Sequence, residues 1–236
     1  MIVTHNTELA DMADRIALPE HRPFMQHYDG HHNRIDRICR PHDTEIMEKE
    51  IFSEAFFSDK TPPWVKLIKM FVIYQNGEAC VACPMTCTEG LVALLDKFAD
   101  TPETRAILEH TREGRDGDFA IGAQYLSEIQ GGSDVGANVL EAVQEDGTWR
   151  LYGTKFFCSA THADYAVVTA KPAGTDEVAL FQTSEGGSSR MLMCKGVHSL
   201  VVEQGRVFGE KGWMEGTRYQ GATTMISRSS VMPMFL

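Results

Sequence analysis

The sequence predicts an α+β protein with its helices first and its strands afterwards. Three observations predict it. Residues 1–115 carry apolar positions at helical spacing, broken at Pro62-Pro63 and Thr101-Pro102. Near residue 118 the pattern turns strand-like, with short apolar runs and a hairpin signal at Glu145-Asp146-Gly147. Helical and strand segments do not alternate, which argues for two segregated layers or two domains rather than a βαβ sheet. The expected division is an N-terminal helical domain over 1–116 and a mostly antiparallel, barrel-like middle domain over 117–182. A tail follows over 183–236, read as irregular chain or as a divergent end of the β domain.

Taken in order, Asp43 or Thr44 can cap a helix reaching about Phe57, with Ile46, Met47, Ile51 and Ala55 on one face. Val65, Leu67, Ile68, Met70, Phe71, Val72 and Ile73 follow with little polar interruption, as in a helix buried all round. Thr88 opens a helix through Leu91, Val92, Leu94, Leu95 and Phe98; Thr101-Pro102 caps another to about Thr111. Strands are expected at Phe119 to Leu126, Val139 to Gln144, Trp149 to Phe157, Tyr165 to Ala170 and Val178 to Phe181. Beyond Thr183 Gly and Ser cluster and alternation is poor.

Composition excludes several classes. The 236 residues are long enough for a real core, and 43% hydrophobic with 23% charged is ordinary for a globular chain. With 22 basic against 33 acidic residues the net charge is −11, the wrong sign for a general nucleic-acid binder. Uninterrupted apolar runs fall far short of the ~20 residues of a membrane span, and no secretory leader is visible at Met1-Ile2-Val3-Thr4-His5. The six cysteines are therefore read as reduced thiols of a cytoplasmic protein. Cys80, Cys83 and Cys87 have metal-like spacing but no fourth ligand, and His27 and His31 stand i, i+4 beside a helix-weakening Gly30. Neither set is assigned a metal; buried thiols and polar capping are the readings preferred.

Two segments carry the chemistry. In Tyr125-Leu126-Ser127-Glu128-Ile129-Gln130-Gly131-Gly132-Ser133-Asp134 a strand runs into a hydroxyl-rich turn whose glycines let backbone approach a ligand. In Lys155-Phe156-Phe157-Cys158-Ser159 two aromatics precede a small hydroxyl, a pattern that can pack on a flat ring and bond its edge. Each alone is also an ordinary turn or core strand.

In this order, about 30 residues apart and after a helical block, the two segments resemble the acyl-CoA dehydrogenase family. Leu126 to Asp134 is similar to its V-T-E-P-x-A-G-S-D turn and Lys155 to Ser159 to its K-x-W-I-T segment. Ile129 stands for the Pro, Gly131 for the Ala, Phe157 for the Trp, and Ser for both Thr positions. The E-x-Q-G-G-S-D form resembles the AidB-like branch, as does Cys83-Pro84-Met85-Thr86 and, more loosely, His27 to His32. The resemblance runs over roughly 20–181.

It implies FAD as cofactor and α,β-dehydrogenation of an acyl-CoA thioester as the family reaction, with an electron acceptor not specified. Carried over by position, Tyr125, Leu126, Ser127, Ser133, Phe157 and Ser159 are the expected flavin contacts, and Ser133 also lies on the substrate side. The family's base belongs to a later helical region, and no C-terminal four-helix pattern follows Phe181. No catalytic base is assigned: Glu128 belongs to the binding turn and Glu141 to a solvated strand face. The chain is therefore expected to be an incomplete copy, with self-association through faces left uncovered. The alternative is a non-catalytic remnant or interaction module of the same fold.

Overall fold

A computed structural model of the chain describes residues 2–99, 101–115, 118–130, 132–145, 148–156, 158–184, 189–193, 199–204, 218–220 and 224–226. Five helices come first: α1 (Ile2–Ile16), α2 (His42–Ser53), α3 (Pro63–Asn76), α4 (Ala79–Phe98) and α5 (Pro102–Glu113). Between α1 and α2 lies an unexpected antiparallel hairpin, β1 (Phe24–Tyr28) and β2 (Arg34–Cys39). Its turn is tied by Asp29, whose Oδ1 accepts from the backbone N–H of His31 at 2.8 Å and of Asn33 at 2.9 Å. This side-chain turn replaces the helical i, i+4 placement of His27 and His31: His27 lies in β1 and His31 in the turn.

Two helices start or stop elsewhere than the sequence suggests. Helix α2 ends at Ser53, so Ala55 leaves the helix with φ 51° while Phe56 and Phe57 still reach the core. Helix α4 begins at Ala79, not Thr88. Glu78 caps it by accepting from Cys80 N–H at 2.7 Å, and Pro84 is carried inside the helix. Thr88 lies one turn after that proline and ties the helix to the strand that begins at Gly122. Its hydroxyl donates to the Pro84 carbonyl at 2.7 Å and accepts from Gly122 N–H at 2.8 Å. Helix α5 follows the expectation, with a reciprocal Thr101/Thr104 capping box. By length and composition α4 is apolar enough to cross a membrane, but half of its most apolar stretch is buried inside the fold.

The strands are β3 (Gly122–Tyr125), β4 (Glu141–Glu145), β5 (Thr148–Tyr152), β6 (Lys155–Phe156), β7 (Tyr165–Pro172) and β8 (Ala179–Ser184). From the tail come β9 (Ser189–Met193), β10 (Ser199–Gln204), β11 (Arg218–Gln220) and β12 (Thr224–Ile226). One sheet runs β11-β5-β4-β7-β8-β12 with β3 parallel on β7; another runs β6-β10-β9. The α+β class holds, but among the described residues the sheets stay open instead of closing into a barrel.

Three cores follow. Met47, Ile51, Phe52 and Met85 centre the helical one, and Ala123, Leu151, Val168 and Phe181 the β one. The third joins them: Leu91, Leu94 and Leu95 of α4 pack on Val167 and Leu180. Strand β3 passes so near α4 that a Cβ on Gly122 would lie 2.7 Å from Leu91 Cδ2, which explains the glycine. A polar clasp closes the same seam. Arg40 Nη1 donates to Glu48 Oε1 at 2.8 Å and lies 3.0 Å from His162 Nε2; that nitrogen lies 2.8 Å from Glu48 Oε2. Glu48 is buried, so removing it orphans a half-buried guanidinium. Glu48→Ala is expected to lower stability by about 3 kcal/mol in a urea titration. A loss within ~0.5 kcal/mol, the range of surface substitutions, would show that the clasp is incidental.

Candidate functional site

The two motif segments meet side by side. Phe156 N–H donates to the Ser127 carbonyl at 2.9 Å, so the end of the β3 segment and β6 run as neighbours. Beneath them lies a closed polar network. Lys155 Nζ donates to Glu128 Oε1 at 2.7 Å, to Thr169 Oγ1 at 2.9 Å and to the Leu126 carbonyl at 3.2 Å, using all three of its protons. The Glu128 carboxylate also accepts from Val139 N–H at 2.6 Å and Leu140 N–H at 3.1 Å. Asn138 Nδ2 donates to Leu126 O at 2.8 Å and Thr169 Oγ1 at 2.9 Å, and Gln130 closes the ring on Asn138 Oδ1 at 3.1 Å. Lys155, Glu128, Asn138 and Thr169 are all buried. Burial pulls the Lys155 ammonium below its usual pKa, and the Glu128 carboxylate opposes that.

This network sets the shape of the turn. It anchors residues 126–128 on one side and 138–140 on the other, leaving the chain between them to bulge outward. There Gly132 crosses the Ser127 side chain: a Cβ on it would lie 2.4 Å from Ser127 Oγ. Ser133 is exposed, Ser127 and Leu126 are half-buried, and Ser159 is exposed. Tyr125 differs from its expected role beside a ring, because its side chain is sunk in the β core with its hydroxyl donating to Ala160 O at 3.4 Å. Phe157 lies outside the described residues. The exposed hydroxyls and the glycine at a close approach fit one edge of a flat, polar-rimmed cofactor.

Helix α4 supplies a side of the site that the sequence reading left unused. Cys83 and Cys87 stand i, i+4 on it, and the Cys83 thiol accepts hydrogen bonds from Cys87 and from Ser159. These two donors outweigh its burial and hold the thiol down at about 6, while donating pushes Cys87 up. Among the described residues no cluster of three or more His, Cys, Asp or Glu is arranged to hold a metal. Lys155, Asn138 and Thr169 were missed as site residues. The available signal was a lysine on a strand whose alternation turns it inward.

A helical block leaning through one long helix on a β layer, with a glycine-serine turn above a buried lysine–glutamate pair, is an arrangement that matches solved acyl-CoA dehydrogenase folds. In sequence and in fold this chain belongs with that family. It is 30% identical to acyl-CoA dehydrogenase family member 11 of Caenorhabditis elegans over 172 residues, covering 67% of this chain and 28% of that protein. It is 27% identical to putative acyl-CoA dehydrogenase AidB of Escherichia coli over 168 residues, covering 64% of this chain and 31% of that one. The fold matches the C. elegans ACDH-11 structure in complex with C11-CoA at a TM-score of 0.69 and 21% identity, over 94% of this chain and 40% of that one. It also matches a Mycobacterium smegmatis glutaryl-CoA dehydrogenase in complex with FADH2 at 0.55 and 15% identity, over 95% and 56%. No protein-family model matches. The chain spans about three tenths of the length of these curated relatives.

Two outcomes follow from the geometry. Lys155→Met leaves the buried Glu128 carboxylate unpaired and is expected to cost about 3–5 kcal/mol in chemical denaturation. Lys155→Met with Glu128→Leu is expected to recover most of it; no recovery would mean that the pair is not the source of the loss. In alkylation by iodoacetamide, Cys83 is expected to react first of the described cysteines, with a rate that rises through about pH 6. Ser159→Ala removes a donor to the thiolate and is expected to move that inflection upward; an unmoved profile would refute the Ser159 contact.

Proposed function

We propose that this chain forms the flavin and acyl-thioester side of an acyl-CoA dehydrogenase-like site. The observation that carries the reading is the Ser127–Phe156 backbone contact, which aligns the two motif segments over the buried Lys155–Glu128 pair. FAD is the proposed cofactor, and when bound it supplies the hydride acceptor for α,β-dehydrogenation. Ser127 and Ser159 offer hydroxyls to the edge of the ring system. Leu126 runs beside it, with its carbonyl already committed to the network. Ser133, at the outer end of the turn, binds on the thioester side. The residues of this chain bind and align, and holding the reactants in register is the share of catalysis proposed for them.

Glu128 is not the proton acceptor in this reading. It is buried and both its oxygens are taken by Lys155, Val139 and Leu140. Glu141 is an exposed residue of β4. The base, the acyl-chain selectivity and the electron acceptor therefore fall to groups other than these, and dehydrogenation by this chain alone is not proposed. Action in the cytoplasm, without nucleic acid or a membrane, is part of the same reading; it is supported by the net charge of −11 and the reduced cysteines.

FAD titrated into the purified chain is expected to saturate at one equivalent, read by flavin absorbance and quenching of protein fluorescence. Ser127→Ala is expected to weaken binding about 5-fold, the equivalent of one ordinary hydrogen bond. Absence of saturable FAD uptake would overturn the reading for this chain.

A further inference from the structure

One side of helix α4 is a row of thiols that is not fully covered. Val81, Ala82, Pro84, Met85 and Thr88 are buried, whereas Cys80 is exposed and Cys83, Cys87 and Gly90 are half-buried. These four stand at i, i+3, i+7 and i+10, which is one face of the helix. The β block supplies what lies against it. Gln124 Nε2 donates to Cys87 O at 2.9 Å and passes so close to Gly90 that a Cβ there would collide with its amide. Ser159 reaches Cys83 from the turn after β6. That turn is held in one shape. Ala160 has φ 53°, and its carbonyl accepts from Ala163 N–H at 2.9 Å and from the Tyr125 hydroxyl at 3.4 Å. His162 is tied into the Arg40–Glu48 clasp. A left-handed alanine persists only where its surroundings over-determine it. The Ser159 hydroxyl is therefore a fixed donor to the Cys83 sulfur, and Cys87, one turn along the same helix, is a second.

We propose that Cys83 is a site of reversible oxidation by hydroperoxides, held by Ser159 and Cys87, and that it stops at the sulfenic acid instead of closing on Cys87. The thiolate is the form that reacts, and partial exposure lets a small oxidant reach it. The two donors hold Cys83 at about 6, whereas burial and the nearby Glu78 push Cys80 up to about 11. In the step, the Cys83 sulfur attacks one oxygen of the peroxide. An S–O bond forms and the O–O bond breaks. Two electrons pass from sulfur to the peroxide, and the departing oxygen takes a proton from solvent, leaving as water when the oxidant is hydrogen peroxide. The helix opposes a further step onto Cys87. Residues at i, i+4 hold their Cβ atoms ~5–6 Å apart, and a disulfide needs about 3.5–4.5 Å. Closing that gap would distort a turn whose Met85 is packed in the helical core. Cys87 therefore acts as a hydrogen-bond donor, a role that suits a thiol pushed well up by its surroundings. The inference does not rest on the flavin reading and can fail without it.

Hydrogen peroxide added in graded amounts to the reduced natural chain at pH 7, with dimedone to trap sulfenic acid and peptide mass spectrometry to locate it, tests the proposal. Cys80 is the internal control, because it lies on the same face and is the more exposed of the two. The expected result is a dimedone adduct on Cys83 that forms about 10-fold or more ahead of one on Cys80. Without dimedone the chain is expected to gain one oxygen atom, which dithiothreitol removes. An adduct that appears on Cys80 first or at the same rate, no adduct on Cys83, or a Cys83–Cys87 disulfide overturns the proposal. The role of Cys87 is read from the pH dependence of the oxidation rate. Cys87→Ser keeps a donor and is expected to leave the inflection near pH 6. Cys87→Ala removes one hydrogen bond to the thiolate and is expected to move the inflection to about pH 7 or above. Equal profiles for the two variants would overturn the assignment of Cys87 as donor.

Discussion

The ion pair between Lys155 and Glu128 is the constraint on which the β block and its outward turn depend. Two opposite charges out of water are tolerable only if every remaining donor and acceptor is answered. Here they are: the ammonium spends its three protons on Glu128, Thr169 and the Leu126 carbonyl, and the carboxylate takes two backbone amides besides the lysine. The pair therefore does more than join β6 to the turn. It fixes the carbonyl of Leu126 and the amides of Val139 and Leu140 at set positions, and so decides where the intervening glycine-serine stretch can go. The turn that carries Ser127 and Ser133 is thus held from below, by buried atoms.

Helix α4 performs the corresponding task between the layers. Its N-terminal half belongs to the helical core through Val81, Ala82 and Met85, and its C-terminal half to the seam through Leu91, Leu94 and Leu95. The crossing point is polar. Thr88 grips Gly122 N–H, and Gln124 Nε2 donates to Cys87 O at 2.9 Å. That crossing also brings Cys83 against Ser159, so the helix that ties the layers together lines the site. A packing change in α4 therefore reaches the candidate site directly, whereas one in α1 has to pass through the helical core it shares with α2 and α3.

Much of this was legible in residues whose reasons are local. The Thr101-Pro102 cap, the strand at Tyr165 and the hairpin about Glu145 are set by neighbours in sequence, and α5, β7 and the β4–β5 pair appear where expected. The start of α4 was not legible, because Pro84 and the cysteines around it look like a break, and Glu78 shows itself as the cap only where its side chain meets Cys80 N–H. Hairpin β1–β2 was missed because its register depends on a carboxylate, Asp29, folding back on its own turn. In the site, the hydroxyls could be read from the motif pattern. Their support could not: Thr169, on a separate strand, accepts from Lys155, and Asn138 joins the network through Thr169 and the Leu126 carbonyl, a meeting that only the three-dimensional fold creates.

The same distinction explains α3. A run such as Val65 to Ile73 satisfies the rule that a helix apolar on all sides is a buried helix. The rule counts residues without asking which side is already occupied. Here the inner side is taken by two lysines, each held by a carboxylate and resting on a phenylalanine ring, with Glu54 at the end of α2 and Glu89 on α4. Trp64, Leu67, Phe71 and Tyr74 are turned to solvent instead. Once those pairs form, rotating the helix to bury Leu67 and Phe71 would expose Ile73 and strand both carboxylates. The outward stripe is thus the consequence of a locked inner face.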